Sequence, residues 1–213
     1  MEMYCARLIA RSARVSTDDF LAAKMDRDQM ASMANLKARI KSDVRWLLDE
    51  STPDRPDELV RRVRAEATKN QTKIVIIDYL QILAGGMDDA RNEHDAISRC
   101  LHVFQQAAKR DNMAYVVMCQ LNRKVEERPD KRPMLADLRG SGSIEEKGKL
   151  IVGMYRGSYY HDTPISGIDY PANGFAPSAE EFRQQVKLCI IKNSGGATCE
   201  VDATWKGEFC EIT

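Results

Sequence analysis

The segment that most constrains this chain is a run of four aliphatic residues, Ile74–Ile77, that ends in the carboxylate of Asp78. Because the run has no polar alternation, it predicts a strand buried on both faces, as in a parallel sheet covered by helices. In open α/β sheets the carboxyl ends of the strands face the ligand crevice. Asp78 is therefore a candidate for contact with a nucleotide and its metal ion. The simpler alternative is that Asp78 caps a turn.

A second apolar run, residues 114–119, stops at Gln120. A helix is predicted between the two runs, from Asn92 as its N-cap to about Arg110. The crossover of such a strand–helix–strand unit is right-handed in nearly all cases and brings the two strands parallel. We therefore expect Asp78 and Gln120 to lie at the same edge of the sheet, which is the geometry of a site.

The remaining patterns predict helices before this unit and strands after it. The predicted elements are mostly helix over 4–48 with a short strand at 44–48, a helix over 58–69, a strand over 149–156, and a hairpin formed by 186–191 and 198–205 around a turn at 193–196. Residues 157–182 are rich in Gly, Pro and Tyr and lack periodicity, which predicts a mobile insertion.

Residues 137–145, DLRGSGSIE, place an arginine beside two glycines, Arg139 with Gly140 and Gly142. We expect a flexible loop here, because backbone amides near glycine can approach a phosphate closely and a guanidinium is at hand. The charged stretch before it, residues 121–137, mixes basic and acidic side chains. A solvated loop explains this stretch as well as a functional segment does.

Composition limits the other classes of function. The chain has 213 residues with 32 basic and 32 acidic side chains, so a nucleic-acid site must be local rather than spread over the surface. No apolar stretch approaches the ~20 residues of a membrane span, and the cytoplasm is the expected compartment. The 6 cysteines and 3 histidines have no ligand spacing, so buried thiols are expected rather than zinc.

Four segments together resemble the C-terminal motor domain of the DnaB-type replicative DNA helicases. They are IDYLQIL at 77–83, CQLNRKVEERPDKRP at 119–133, DLRGSGSIE at 137–145 and MYRGSYYH at 154–161. The resemblance extends over nearly all of residues 1–213, taken as one partial domain. It implies a RecA-like α/β fold, in which a mostly parallel sheet is flanked by helices and followed by a C-terminal β-hairpin, without the P-loop strand.

The same resemblance implies an ATP-dependent DNA helicase that translocates 5′ to 3′ on single-stranded DNA. ATP and Mg²⁺ would be bound between the subunits of a homohexamer in the bacterial cytosol or a phage-infected host, with a helicase loader and a primase as further partners and no membrane. Carried over by position, Glu2 matches the catalytic glutamate at the end of its strand, which polarises the attacking water. Asp78 matches the residue that holds Mg²⁺ through water, and Gln120 matches the sensor of the γ-phosphate. Lys192 matches a hairpin residue that reaches the ATP of the neighbouring subunit.

Arg139, Gly140 and Gly142 match the loop that grips the single-strand backbone. The chain also departs from the family pattern: Gly140 replaces a usual acidic residue, and Ser194 replaces a second basic residue on the hairpin. The phosphate-binding pattern G-x-x-x-x-G-K-[ST] is absent from this chain, and in the family it precedes the position of residue 1.

These departures leave two other hypotheses open. The first is a non-catalytic relative of the helicase that retains the DNA loop or the ring interface but does not hydrolyse ATP. Zero net charge and Ser194 favour it. The second, a RecA-type recombinase or signalling ATPase, shares the sheet but does not account for DKRP followed by DLR-x-SG. We also expect the chain alone to be inactive and poorly stable, with apolar surface exposed along the strand at 73–78.

Overall fold

The computed structural model describes residues 2–43, 55–87, 90–138 and 140–213, apart from the side chains of residues 2–5, 8, 36–43 and 141. The short strand predicted at 44–48 and the side chain of Arg139 lie outside these residues. The helices are α1 (Glu2–Ala13), α2 (Thr17–Leu21), α3 (Arg27–Asp43), α4 (Pro56–Asn70), α5 (Leu80–Gly85), α6 (Glu93–Asp111), α7 (Ser141–Lys147) and α8 (Ala179–Gln184). The strands are β1 (Ile74–Ile77), β2 (Ala114–Val117), β3 (Leu150–Tyr155), β4 (Gln185–Asn193), β5 (Cys199–Lys206) and β6 (Glu211–Ile212). None of the helices in this described part is long and apolar enough to cross a membrane.

The chain divides into two compact units. The first unit consists of Met1–Glu50, Arg156–Leu188 and Val201–Thr213, and the second of Ser51–Tyr155 and Cys189–Glu200. The interpretation of residues 1–213 as one partial domain with a mobile insertion at 157–182 stays a prediction.

Helix α6 is the centre of the second unit, and its bounds confirm the helix predicted after Asn92. The side chain of Asn92 accepts a hydrogen bond from the backbone N–H of Asp95 at 2.9 Å, which caps the helix. The helix ends at Asp111, and the capping residue Asn112 after it adopts the left-handed conformation. Its apolar face is buried, and this face comprises Ala96, Ile97, Cys100, Phe104 and Ala107.

Strands β1 and β2 pair in parallel, with Ile74 opposite Ala114 and Ile77 opposite Val117, as predicted. The prediction that β1 is buried on both faces is wrong, because Ile74 and Ile76 are 60% and 57% exposed while Ile77 is buried. Successive side chains of a strand point to opposite faces. Ile77 belongs to the core cluster formed with α5 and α6, and Ile74 and Ile76 lie on the other face.

The other four strands form one sheet in the order β3-β4-β5-β6. Strands β4 and β5 are the predicted hairpin, and β6 pairs antiparallel with β5. Gly153 in β3 has Pro133 packed against it: a Cβ at this position would lie 2.6 Å from Pro133 Cβ. Proximity to Pro133 therefore requires glycine here, and the segment before α7 rests directly on this strand.

Asp169 organises part of the first unit. It is 1% exposed, and its carboxylate accepts a hydrogen bond from the backbone N–H of Ile165 at 2.6 Å. His161 Nε2 lies 2.9 Å from the same carboxylate, and Gln185 Nε2 donates to the backbone carbonyl of Asp169 at 2.9 Å. Gly157 packs against it so closely that a Cβ there would lie 2.2 Å from Asp169 Oδ1.

Candidate functional site

Asp78 and Gln120 lie at the carboxyl edge of the β1–β2 pair. The backbone N–H of Met118 donates to the carbonyl of Ile77 at 2.8 Å, and the N–H of Leu80 donates to the carbonyl of Met118 at 2.9 Å. Asp78 is thus placed opposite Met118, and Gln120 follows two residues later. Both residues are exposed, and the Asp78–Tyr79 peptide bond is cis. The predicted placement of an acid and an amide at one edge is confirmed.

Gln81 joins the ends of the two strands, and the sequence analysis did not single it out. Its Nε2 donates to Cys119 Sγ at 3.1 Å, and its Oε1 accepts the backbone N–H of Gln120 at 3.3 Å. Burial raises the pKa of the Cys119 thiol, so this sulfur stays a neutral partner. The sequence feature that could have identified Gln81 is its position, three residues after Asp78 and near the start of a helix.

The connecting segment, residues 121–138, begins and ends at the same place. Leu121 and Leu138 form an antiparallel β-bridge, and the backbone N–H of Asn122 donates to the carbonyl of Asp137 at 2.7 Å. Asp137 is buried and forms an ion pair with Arg128 at 2.7 Å. The interpretation of this stretch as a solvated loop is therefore wrong for its buried acid and the arginine that pairs with it.

Gly140 and Gly142 follow the connecting segment. Gly140 has φ of 79°, and a Cβ there would lie 3.0 Å from Ile97 Cδ1, so both its backbone and its neighbour favour glycine. Gly142 lies in the first turn of α7 rather than in the predicted flexible loop. A helix forms where the loop was expected, because Ile144 is buried in the core cluster and its N–H bonds back to the Gly140 carbonyl at 3.4 Å.

His94 is a polar residue near these glycines that sequence reasoning set aside. Its Nε2 lies 3.5 Å from Ser143 Oγ, and a Cβ on Gly142 would lie 3.9 Å from the same nitrogen. His94 stands in the first turn of α6, so the start of that helix and the start of α7 are neighbours. No pattern of spacing in the sequence relates His94 to Ser143.

Lys192 lies near the end of β4, on the predicted hairpin. Its Nζ donates to the backbone carbonyl of Glu145 in α7. Beside it, the N–H of Ser194 donates to the carbonyl of Lys149 at 2.8 Å. The turn of the hairpin is thus attached to α7 and to the start of β3. In this arrangement Lys192 is engaged within its own chain.

Glu2 is the first residue of α1 and belongs to the first unit, rather than ending a strand as predicted. Its side chain is outside the described residues.

Among the described residues no three His, Cys, Asp or Glu side chains converge as a metal site. A single exposed carboxylate such as Asp78 still fits Mg²⁺, which keeps several waters and binds through one or two carboxylates together with substrate phosphates.

A protein-family model and the similar proteins of known sequence point to the same family. The family model of the DnaB-like helicase C-terminal domain matches residues 1–213. The replicative DNA helicase DnaB of Rickettsia prowazekii is 29% identical over an alignment of 213 residues, and the match covers 99% of this chain and 43% of that protein. The DnaB of Mycobacterium leprae is 31% identical over 168 residues, which cover 76% of this chain and 26% of that protein. The chain thus spans less than half the length of these relatives.

Two solved structures share the fold. One, described as a DnaB-like replicative helicase and its interactions with primase, superposes with a TM-score of 0.79 at 24% identity and covers 97% of this chain and 46% of its own. The other, described as an ATPase domain, has a TM-score of 0.78 at 25% identity and covers 97% of this chain and 68% of its own. The predicted RecA-like α/β fold is confirmed by these likenesses.

Proposed function

Because this chain belongs to the family of DnaB-like helicase C-terminal domains, we propose that it is the motor portion of an ATP-dependent helicase that moves along single-stranded DNA. The observation that carries this proposal is the shared edge of Asp78 and Gln120. Gln120 is also only one residue away from the bridge of Leu121 with Leu138, which leads to Gly140. An edge that senses nucleotide would therefore adjoin a loop that contacts DNA.

In the proposed reaction the chain supplies position and charge, which is what phosphoryl transfer chiefly requires. Asp78 would hold Mg²⁺, and the bound ion would supply positive charge that neutralises the phosphates. Gln120 places its amide toward the terminal phosphate. Lys192 contributes from the neighbouring subunit, after its own-chain bond to Glu145 is exchanged for the phosphate.

On the DNA side, Arg139, Gly140 and Gly142 contact the backbone of the strand. Contacts to phosphates carry no sequence information, which suits a motor that must pass over any sequence. We propose a homohexameric ring, translocation from 5′ to 3′, and a loader and a primase as partners in the cytosol. These follow from family membership and from the relative described with primase.

The first experiment measures ATP hydrolysis by the complete protein that contains this chain, with and without single-stranded DNA. Asp78→Asn keeps the size of the side chain and removes its charge, so we expect DNA-stimulated hydrolysis to be lost without a change in the melting temperature. Asp57→Asn, an exposed acid on α4 of the same unit, is the matched control. Unchanged turnover in Asp78→Asn would remove Asp78 from the site.

The second experiment measures the affinity for single-stranded DNA as a function of salt. Arg139→Ala should weaken binding and lower the slope of log K against log salt by about 0.7, the value for one phosphate contact on a single strand. Arg61→Ala, an exposed arginine on α4, should leave that slope unchanged. An unaltered slope in Arg139→Ala would exclude the residue from the DNA path.

A second candidate function is a non-catalytic module that binds DNA or the ring. Ser194 favours it, because this residue stands where the family has a second basic residue on the hairpin. The two candidates differ in one measurement. If the complete protein binds single-stranded DNA but releases no phosphate from ATP in its presence, the module is the better description.

A further inference from the structure

We propose that the ion pair between Arg128 and Asp137 is a positioning clamp that couples Gln120 to the loop of Gly140. This inference rests on the proposed function, since it assumes that Gln120 senses nucleotide and that this loop contacts DNA. It assigns a role to two residues of the connecting segment to which the sequence analysis gave none.

The pair has the geometry of a rigid clamp. Arg128 Nη1 donates to Asp137 Oδ1 at 2.7 Å, and Arg128 Nη2 donates to Asp137 Oδ2 at 2.8 Å. Asp137 is 4% exposed, and its Oδ2 also accepts the backbone N–H of Met134 at 2.8 Å. A bidentate charged pair fixes the orientation of both partners as well as their separation. Asp137 therefore cannot shift without moving Arg128.

The clamp acts where the two ends of the connecting segment meet. The carbonyl of Asp137 accepts the N–H of Asn122, and Leu121 bridges Leu138. One end of this junction directly follows Gln120, and the other end lies two residues before Gly140. A displacement of Gln120 thus has a short backbone path to the loop, with Asp137 held at its centre.

The rest of the connecting segment is braced, so the displacement is not absorbed there. Arg128 Nε donates to the carbonyl of Asp130 at 3.2 Å, and Arg128 Nη2 donates to the carbonyl of Arg132 at 3.0 Å. Pro133 is packed on Gly153 of β3. Because the middle of the segment is fixed on the sheet, a movement of Leu121 cannot be taken up there. It is transmitted across the junction to Leu138 instead.

Arg132 offers a matched control in the same segment. Its guanidinium pairs with Asp130, two residues earlier, at 2.7 Å and with Glu200 on β5 at 2.8 Å. It is an equally well-paired arginine, but neither of its partners lies at the junction. Removing it deletes a guanidinium without releasing the two ends.

The experiment measures the affinity of the complete protein for a fluorescent single-stranded oligonucleotide, with and without a non-hydrolysable ATP analogue. The ratio of the two dissociation constants is the coupling between the sites. We expect Arg128→Ala to bring this ratio at least about fivefold closer to one, a change on the order of an ordinary coupling energy. Arg128→Lys, which keeps the charge but not the bidentate geometry, should restore part of it, and Arg132→Ala should leave it as in the wild type.

The outcomes separate the clamp from the proposed function. If the wild type binds both ligands with a ratio different from one and Arg128→Ala keeps that ratio, the clamp is overturned, whatever happens to the melting temperature. If the wild type itself shows no effect of nucleotide on DNA affinity, the proposed function fails and the clamp with it. If Arg128→Ala does not fold, the ratio in Arg128→Lys decides: an unchanged ratio overturns the clamp, and a reduced one supports it.

Discussion

Ile76 and Val116 lie opposite each other on the parallel strands β1 and β2, and they are 57% and 44% exposed. They belong to the exposed apolar surface of the second unit. Its other large exposed members on strands β1 and β3 and at the end of β2 are Ile74, Met118, Leu150, Val152 and Met154. Exposed apolar surface of this kind marks an interaction site or a liability to aggregation.

We predict that the isolated chain binds a hydrophobic dye and aggregates on heating. Ile76→Thr keeps a β-branched side chain in the strand, so it should lower dye fluorescence without lowering the melting temperature. Ile77→Ala, on the buried face of the same strand, should instead cost about 2–5 kcal/mol of unfolding free energy. A sharp, reversible melt with no dye binding by the wild type would contradict this prediction.

Cys100 should make the stability fall at high pH. It is 0% exposed, and burial raises the pKa of its thiol from an ordinary 9.0 to about 11. Between these values the unfolded chain loses the proton while the folded chain keeps it, so folding weakens as pH rises from 9 to 11, by roughly 2–3 kcal/mol in all. Below pH 9 the thiol is protonated in both states and contributes no pH dependence.

The measurement for Cys100 is the urea unfolding free energy of wild type and of Cys100→Ala at several pH values. The difference between the two proteins should be constant below pH 9 and shrink above it. A thiol reagent at pH 8 gives an independent check, since the exposed Cys199 and Cys210 should react at once and Cys100 only on unfolding. A constant difference up to pH 11 would contradict the raised pKa.

We predict that Asp169 keeps residues 157–182 folded in one conformation. Asp169→Asn weakens the contact with His161 and the charged acceptor of the Ile165 amide, which should cost about 1–3 kcal/mol. Gly157→Ala should cost a similar amount, about 1–3 kcal/mol, because its new methyl overlaps Asp169. Both variants should be cleaved faster by protease within 157–182. Gly85→Ala, where the added Cβ meets nothing within 4 Å, is the control and should be as stable as wild type.

Lys192 should act on the nucleotide of a neighbouring subunit. Asp78→Asn and Lys192→Ala should each be inactive as the complete protein. A mixture of the two should regain activity, because an interface formed by Asp78 of one subunit and Lys192 of the next is intact in about a quarter of the sites of an evenly mixed ring. Activity that stays absent at every mixing ratio would place both residues in the same subunit's site.

Helix α6 and strands β1 and β2 of the second unit could be predicted because their signals lie close together in the chain. Asn92 and the periodic apolar residues specify α6, since a cap and a face are both set within a few turns. The parallel pairing of β1 and β2 follows from the handedness of the crossover. That pairing places Asp78 and Gln120 at one edge without any knowledge of distant residues.

Other features depended on contacts between residues far apart in sequence. Gly142 was predicted in a loop because two glycines favour one, but the burial of Ile144 draws the segment into a helix. The charged residues of 121–137 look solvated when they are read one by one. In the structure Leu121 bridges Leu138, and Asp137 beside this bridge is buried and paired with Arg128.

By itself the sequence determined the class of fold and the edge where Asp78 and Gln120 meet, because periodicity, capping and crossover handedness are local or nearly local rules. The family was indicated by the resemblance of four of its segments to known motifs. Only the tertiary structure decided which face of β1 is covered, which carboxylates are buried and how the connecting segment closes. Burial of a side chain depends on which segments from elsewhere in the chain pack against it. The free-energy cost of burying a carboxylate therefore arises only once those segments are in place.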